Sequence, residues 1–215
     1  MIIAIDGPAG SGKSTTARLL AEKLNFIYLD TGAMYRAVTF YFLQNSVNLK
    51  DSEKICEALL EINLSIHFYD KFEIYISDKN VDKDIRSTQV NEFVSFVSQI
   101  ELVRKKMVAI QRKFSENRDI VIEGRDIGSY VFPNAEFKFF LIADLFERAK
   151  RRFKEIKDDS SITVSSLVEN LKKRDEIDSN RSISPLIKAQ DAMEIDTTSL
   201  TIDEQVKKIY NIINK

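Results

Sequence analysis

The sequence holds one cysteine, Cys56, and one histidine, His67, among 215 residues. A lone cysteine excludes a disulfide framework within the chain and any multi-cysteine metal site. Its setting, EKICEALLEI, is an apolar helical stripe, so Cys56 is expected to be buried packing. His67 lies in a short alternating run with no second ligand nearby, and a structural role is expected for it. No stretch approaches the roughly 20 apolar residues that a membrane helix needs. The apolar start MIIAI lacks a basic flank and meets Asp6 and Gly7 at once, which excludes a signal peptide pattern. An excess of one charge is missing too: the net charge is −1, which offers no field for nucleic acid or an anionic membrane. Neither a repeat nor a low-complexity tract is present. These absences predict a cytoplasmic protein with no nucleic-acid or membrane partner; separately, a monomer is expected.

What is present is a regular alternation. IIAI (2–5), FIYLD (26–30), IVIEG (120–124), FKFFLIA (137–143) and AMEID (192–196) read as five short apolar strands. Between them lie long, mostly helical stretches, and that order predicts a parallel sheet covered by helices. Two stretches depart from it. Residues 62–82, INLSIHFYDKFEIYISDKNVD, hold three alternating runs separated by YDK and SDKN, which predicts a small antiparallel insertion. Residues 158–183 are polar and charge-dense, with DDSS as a loop before a helix. Near the carboxyl end, Thr201 and Glu204 have the spacing of a capping box that opens a last helix.

The first strand runs directly into GPAGSGKST, that is Gly7, Pro8, Ala9, Gly10, Ser11, Gly12, Lys13, Ser14 and Thr15. This matches G-x-x-x-x-G-K-[ST] between a buried strand and a helix, where the pattern needs to sit. The glycines let backbone N–H groups turn inward around a phosphate, and the helix N-terminus adds partial positive charge. Lys13 can reach the β- and γ-phosphates, and the Ser14 hydroxyl can ligate Mg²⁺. A nucleoside triphosphate is therefore the expected ligand. The expected fold is α/β, a three-layer arrangement of the P-loop NTPase type, with a five-stranded parallel sheet, a small antiparallel β insertion and a helical lid. A motor would want a second apolar strand ending in Asp-Glu, and a GTPase an N-K-x-D signature. Both are absent, which leaves a small kinase in need of an acceptor site.

Three groups of residues supply one. DTGAMYR follows the second strand with Thr31 and Arg36, EGRDIG follows the third with Arg125 and Asp126, and KKRDEIDSNRSISP brings Arg174, Asp178 and Arg181. In a parallel sheet the carboxyl ends of neighbouring strands share a crevice. Arginines converging on it imply a second anion, since without one they repel each other. In the basic stretch ERAKRRFKEIK, Arg148 and Arg152 are four apart and share one helix side that could face ATP.

GPAGSGKST, DTGAMYR, the SQ of VSQIELVR, EGRDIGSYVFPNA and RDEIDSNRSISPL, in this order, resemble the bacterial cytidylate kinases over essentially the whole chain. The resemblance implies transfer of the γ-phosphate of ATP, with Mg²⁺, to CMP or dCMP. It implies that Arg36, Arg125 and Arg181 hold the CMP phosphate, with Lys13, Arg125 and Arg181 forming the catalytic set. Ser98, Arg104 and Asp126 match the residues that read cytosine; Arg174 and Asp178 match those that meet the ribose. It also divides the chain into a core (1–37, 88–150 and 186–215), an acceptor-binding region (38–87) and a lid (151–185). Thr31 stands where the family usually has serine, and Ile177 and Ser179 stand where many relatives carry arginine, which makes this lid less basic. The alternatives are a P-loop kinase for UMP, AMP or a non-nucleotide acceptor, and an ATP-binding regulatory module.

Overall fold

A computed structural model describes residues 1–68, 72–155 and 162–214. The expected YDK separator and the DDSS loop lie outside the described residues. Five strands form one sheet: β1 (Ile2–Asp6), β2 (Ile27–Asp30), β6 (Ile120–Gly124), β7 (Phe137–Ile142) and β8 (Met193–Asp196), in the order β2-β6-β1-β7-β8. Central β1 pairs in parallel with β6 and β7, and β7 pairs in parallel with β8. The expected parallel sheet is thus present, with the central strand at the amino end of the chain. Burial explains why β1 and β6 read as unbroken apolar runs: Ile3, Ala4, Ile5, Ile120, Val121 and Ile122 are all 0% exposed.

The chain forms two compact units, residues 1–28 with 118–215 and residues 29–117. In the first, α1 (Lys13–Leu24) packs on β6 and on α8 (Ile202–Ile213), while α6 (Leu145–Glu155) packs on α7 (Val164–Ser179). Helix α8 opens with the expected Thr201–Glu204 capping box, and α7 has its own between Thr163 and Ser166.

In the second unit α2 (Thr31–Gln44) is the hub, in contact with α4 (Thr88–Val97), α5 (Glu101–Ser115) and the short turn 84–86. It also packs on β4 (Phe72–Ile76), the middle strand of the antiparallel sheet that β3 (Leu64–Phe68) and β5 (Lys79–Asn80) complete. A two-residue turn, Ser77–Asp78, joins β4 to β5, with Ser77 at φ 54°. His67 lies in β3 beside Tyr75 and Ser65, as a structural residue would.

Cys56 is a correction. It is exposed on α3 (Ser52–Glu61), whose buried residues are Ile55, Ala58 and Leu59. The apolar stripe is real, but its centre runs along Ile55, Ala58 and Leu59, and Cys56 is one position off it.

Candidate active site

The loop after β1 has the shape its sequence implies. Gly12 is the residue before α1 and has φ 90°, a left-handed conformation, and no side chain caps the helix. Its first N–H groups are therefore left for a ligand. Gly7 has φ 151°, and a Cβ there would come within 2.2 Å of the Leu141 carbonyl oxygen, so no other residue fits. Lys13 folds back to donate from Nζ to the Pro8 carbonyl at 3.0 Å and is 5% exposed. Burial, together with the Arg125 charge, pushes its ammonium down to about 7, against the opposing pull of Glu123.

Long-range bonds brace this loop from behind. The Thr197 hydroxyl lies 2.9 Å from the Ser11 carbonyl oxygen, and Arg151 donates to Thr197. Thr16, fully buried one turn into α1, donates to Gln205 Oε1 at 2.8 Å, while Gln205 Nε2 donates to the Leu200 carbonyl. Gln205→Leu leaves both partners unpaired. The expected loss is about 1–3 kcal/mol, seen as a fall of about 3–10 °C in melting temperature. An unchanged melting temperature removes this brace from the account.

The two basic residues expected to flank ATP part company. Arg148 is buried and donates to the Ala9 carbonyl at 3.1 Å, to the Ala143 carbonyl, and to Asp175 of α7 at 2.6 Å. Arg152 instead points outward, 43% exposed, and pairs with Glu155. Helical spacing placed them on one side; only the seat of α6 on the phosphate loop separates them.

Serine 14, exposed at the first turn of α1, donates to Glu123 Oε1 at 2.6 Å. Glu123 ends the apolar run of β6 and is 4% exposed. Sequence reasoning missed it. A single carboxylate closing a buried strand was the available signal, overlooked because an Asp-Glu pair was sought.

Two residues on from Glu123, arginines gather. Arg125 Nε donates to Asp178 Oδ2 at 2.8 Å, and Arg181 Nη1 lies 4.0 Å from the other carboxylate oxygen. Burial works against the Asp178 charge, but Arg125, Arg174 and Arg181 outweigh it and hold the carboxyl below its usual range. Burial likewise opposes the Arg125 charge, and Asp178 outweighs that, raising its pKa. Asp126, 4% exposed, heads the π-turn 127–131. The structure thus brings Lys13, Arg125, Arg174, Asp178 and Arg181 into one electrostatic cluster.

In the second unit, Asp30 caps α2 by accepting from the Ala33 N–H, so DTGAMYR is indeed a helix entry, with Thr31 buried behind the cap. Arg36 Nε donates to Asn91 Oδ1 at 3.4 Å. Arg104, on α5, is 1% exposed. Its guanidinium sits 5.4 Å from the Tyr35 ring centre, and Nη1 donates to the Ser98 carbonyl at 3.2 Å. Ser98 and Arg104 are therefore neighbours, joined through the Ser98 main chain. An apolar cavity of about 280 Å³ in this unit, lined by Thr39, Phe42, Leu43, Phe93 and Val97 among others, presents no ionisable side chain and cannot hold a phosphate.

A phosphate loop backed by arginines is common to many small kinases; sequence similarity decides among them. A family profile described as cytidylate kinase matches residues 3–215. The chain belongs to the cytidylate kinase family. It is 50% identical to the cytidylate kinase of Fusobacterium nucleatum subsp. nucleatum, an alignment covering 100% of this chain and 98% of that protein. It is 45% identical to the cytidylate kinase of Clostridioides difficile, over 100% and 98%. Among solved structures it resembles the shikimate kinase of Bacteroides thetaiotaomicron, with a TM-score of 0.53 and 13% identity, covering 100% of this chain and 99% of that one. At that identity the likeness shows the shared fold only. Among the described residues, no helix is long and apolar enough to cross a membrane.

Proposed function

We propose the following division of labour for the family's reaction. The enzyme transfers the γ-phosphate of ATP to CMP or dCMP, giving ADP and CDP or dCDP. Phosphoryl transfer asks for alignment and charge neutralisation more than for covalent chemistry. The backbone of residues 7–13 cradles the triphosphate, and Lys13 neutralises its β- and γ-oxygens. Arg125 and Arg181 hold the acceptor phosphate, and Arg36 is assigned to the same group from its own unit. Arg174 and Asp178 meet the ribose, and Ser98, Arg104 and Asp126 read the base. No general base is required, because the acceptor phosphate is already an anion near neutral pH.

No cluster of three or more His, Cys, Asp or Glu among the described residues could hold a metal alone. A hydroxyl bonded to a carboxylate, Ser14 to Glu123 at 2.6 Å, does fit an Mg²⁺ ion that arrives with its nucleotide. Ser14 would hold the ion and Glu123 would orient Ser14. When bound, Mg²⁺ neutralises charge on the phosphate oxygens.

The observation that carries the acceptor assignment is the cluster of part-buried Arg125 with buried Arg181 and Asp178, within Coulomb reach of Lys13. Measuring ADP formation with CMP, dCMP, UMP and AMP tests it. Activity confined to CMP and dCMP is expected; an equal rate with AMP removes the base-reading assignment.

Asp126 carries the choice between cytosine and uracil. Cytosine offers an amino group where uracil offers a carbonyl. A buried carboxylate accepts from the first and opposes the second. Asp126→Asn is expected to lower the CMP-to-UMP ratio of kcat/KM by at least about tenfold, one strong hydrogen bond's worth. An unchanged ratio with lower overall activity assigns Asp126 to the phosphates or to the fold.

A further inference from the structure

Asp6 immediately precedes Gly7, the first residue of the phosphate loop, and is 4% exposed. Its two carboxylate oxygens are divided between consecutive backbone amides far along the chain. Ile127 N–H donates to Oδ1 at 2.8 Å and Gly128 N–H donates to Oδ2 at 2.7 Å. These are the first amides of the π-turn 127–131, whose entry residue, Asp126, has φ −144° and ψ 22°. The Asp126 carbonyl in turn accepts from Tyr130 and Val131. The segment that carries Arg125 and Asp126 is thus fastened at its carboxyl end to the strand that launches the donor loop. Its amino end is fastened by the ladder, in which Gly124 is the partner of Asp6 itself.

A buried carboxylate without a cation in contact is an expensive way to hold two amides, since water solvates the charge better. A neutral amide offers a single acceptor oxygen, so it cannot give each of the two donors an oxygen of its own as the carboxylate does. The arrangement has a purpose only if the position of this backbone matters. The phosphate loop, by contrast, does not depend on this side chain, because main-chain pairing to β6 and β7 already holds Asp6 in place.

We propose that Asp6 is a positioning residue: its carboxylate sets the acceptor-binding segment 125–128 relative to the phosphate loop, so its loss is felt in the use of CMP and not in the binding of ATP. The inference rests on the assignment of Arg125 and Asp126 to the acceptor.

The same contact makes acceptor use sensitive to pH. Burial pushes the Asp6 carboxyl up to about 7, against the two amide bonds and Lys13, while Asp126 adds to the rise. The charged groups that act on it are Asp126 on the loop and Lys13 on α1; of the ionisable side chains on the two flanking strands, Glu123 of β6 is engaged by Ser14 and Lys138 of β7 by Asp191. For an acid whose pKa is raised, the ionised form prevails only above that value. As pH falls through about 7 the carboxyl gains a proton, and one oxygen can no longer accept from its amide.

Asp6→Asn keeps the size of the side chain but turns an NH₂ group toward one of the two amide donors. Steady-state kinetics should show KM for CMP raised at least about tenfold, with KM for ATP changed less than about threefold. The wild-type kcat/KM for CMP should fall more steeply than the variant's between about pH 8 and pH 6, the ionisation of CMP itself being common to both. An equal rise in both KM values, or parallel pH profiles, overturns the proposal. Should the variant not fold, amide exchange on the wild-type enzyme decides. Protection of Ile127 and Gly128, corrected for intrinsic rates, should drop between about pH 8 and pH 6 relative to Val121 and Ile122. Constant relative protection overturns the proposal as well. Arg125→Ala, run in parallel, separates the two readings. If it spares CMP, the acceptor assignment and this inference both fail. If it impairs CMP while Asp6→Asn does not, only this inference fails.

Discussion

Replacing Lys13 with alanine is expected to lower kcat by about 10²–10³-fold while leaving the fold as stable as before, or more so. The loss of rate follows from removing one oriented charge from a site where charge moves between phosphate oxygens. The stability result follows from burial. Lys13 is 5% exposed, and its pKa is lowered to about 7 because the interior disfavours its charged form. Alanine gives up the 3.0 Å bond to the Pro8 carbonyl but also removes a desolvated ammonium from beside Arg125. Thermal unfolding and ADP release measured on the same preparation check both halves. Activity within about tenfold of wild type sinks the donor-loop assignment.

Arg125→Ala should behave in the opposite way and harm both activity and stability. Arg125 is paired with Asp178 at 2.8 Å, and the Asp178 side chain is 4% exposed. Without Arg125 that carboxylate stays buried, with Arg181 at 4.0 Å. Removing one partner of a buried pair typically costs about 3–5 kcal/mol. For a chain of this size that corresponds to roughly 6–20 °C in melting temperature. The acceptor phosphate loses a contact in the same step, so kcat/KM for CMP should fall by at least about 10²-fold, with KM for ATP little changed. Arg125→Lys keeps a charge but not the planar fork, and should recover stability better than activity. A variant as active on CMP as the wild type removes Arg125 from the acceptor site; one as stable as the wild type removes the ion pair from the account of the fold.

The two substitutions differ because of what surrounds each charge. Lys13 is a cation held among other cations for a ligand's sake, whereas Arg125 answers a carboxylate that the fold itself has buried.

Much of this was legible from residues close in sequence. GPAGSGKST encodes its own conformation, because glycines at fixed offsets, a preceding apolar strand and a following helix are all local. Strands β1 and β6 were legible because burial on both faces leaves an apolar run, and the antiparallel insertion because its alternation has period two. Capping by Thr201 and Glu204 was equally local. DTGAMYR turned out to be the helix entry that its acid and glycine imply, with Asp30 as the cap. The family was legible too, from five motifs in order, and that order was information the sequence carried whole.

What only the tertiary structure decided depends on pairs far apart. Strand order is one case: β1 pairs with residues 120–124 and 137–140, and no local pattern ranks those partners. Cys56 is another, because a helix's apolar stripe shows which residues are near the core but not which edge faces out. Arg148 and Arg152 look alike in the sequence, yet one is seated on the Ala9 carbonyl and Asp175 and the other lies in solvent. Glu123, Gln205 and Asp6 acquire their parts only from Ser14, Thr16 and the amides of Ile127 and Gly128, each more than 100 residues away. The physical reason is common to all of them. Backbone conformation is set mainly by neighbours in the chain, whereas a polar side chain's role is set by whichever group shares its burial, and folding alone brings that group to it.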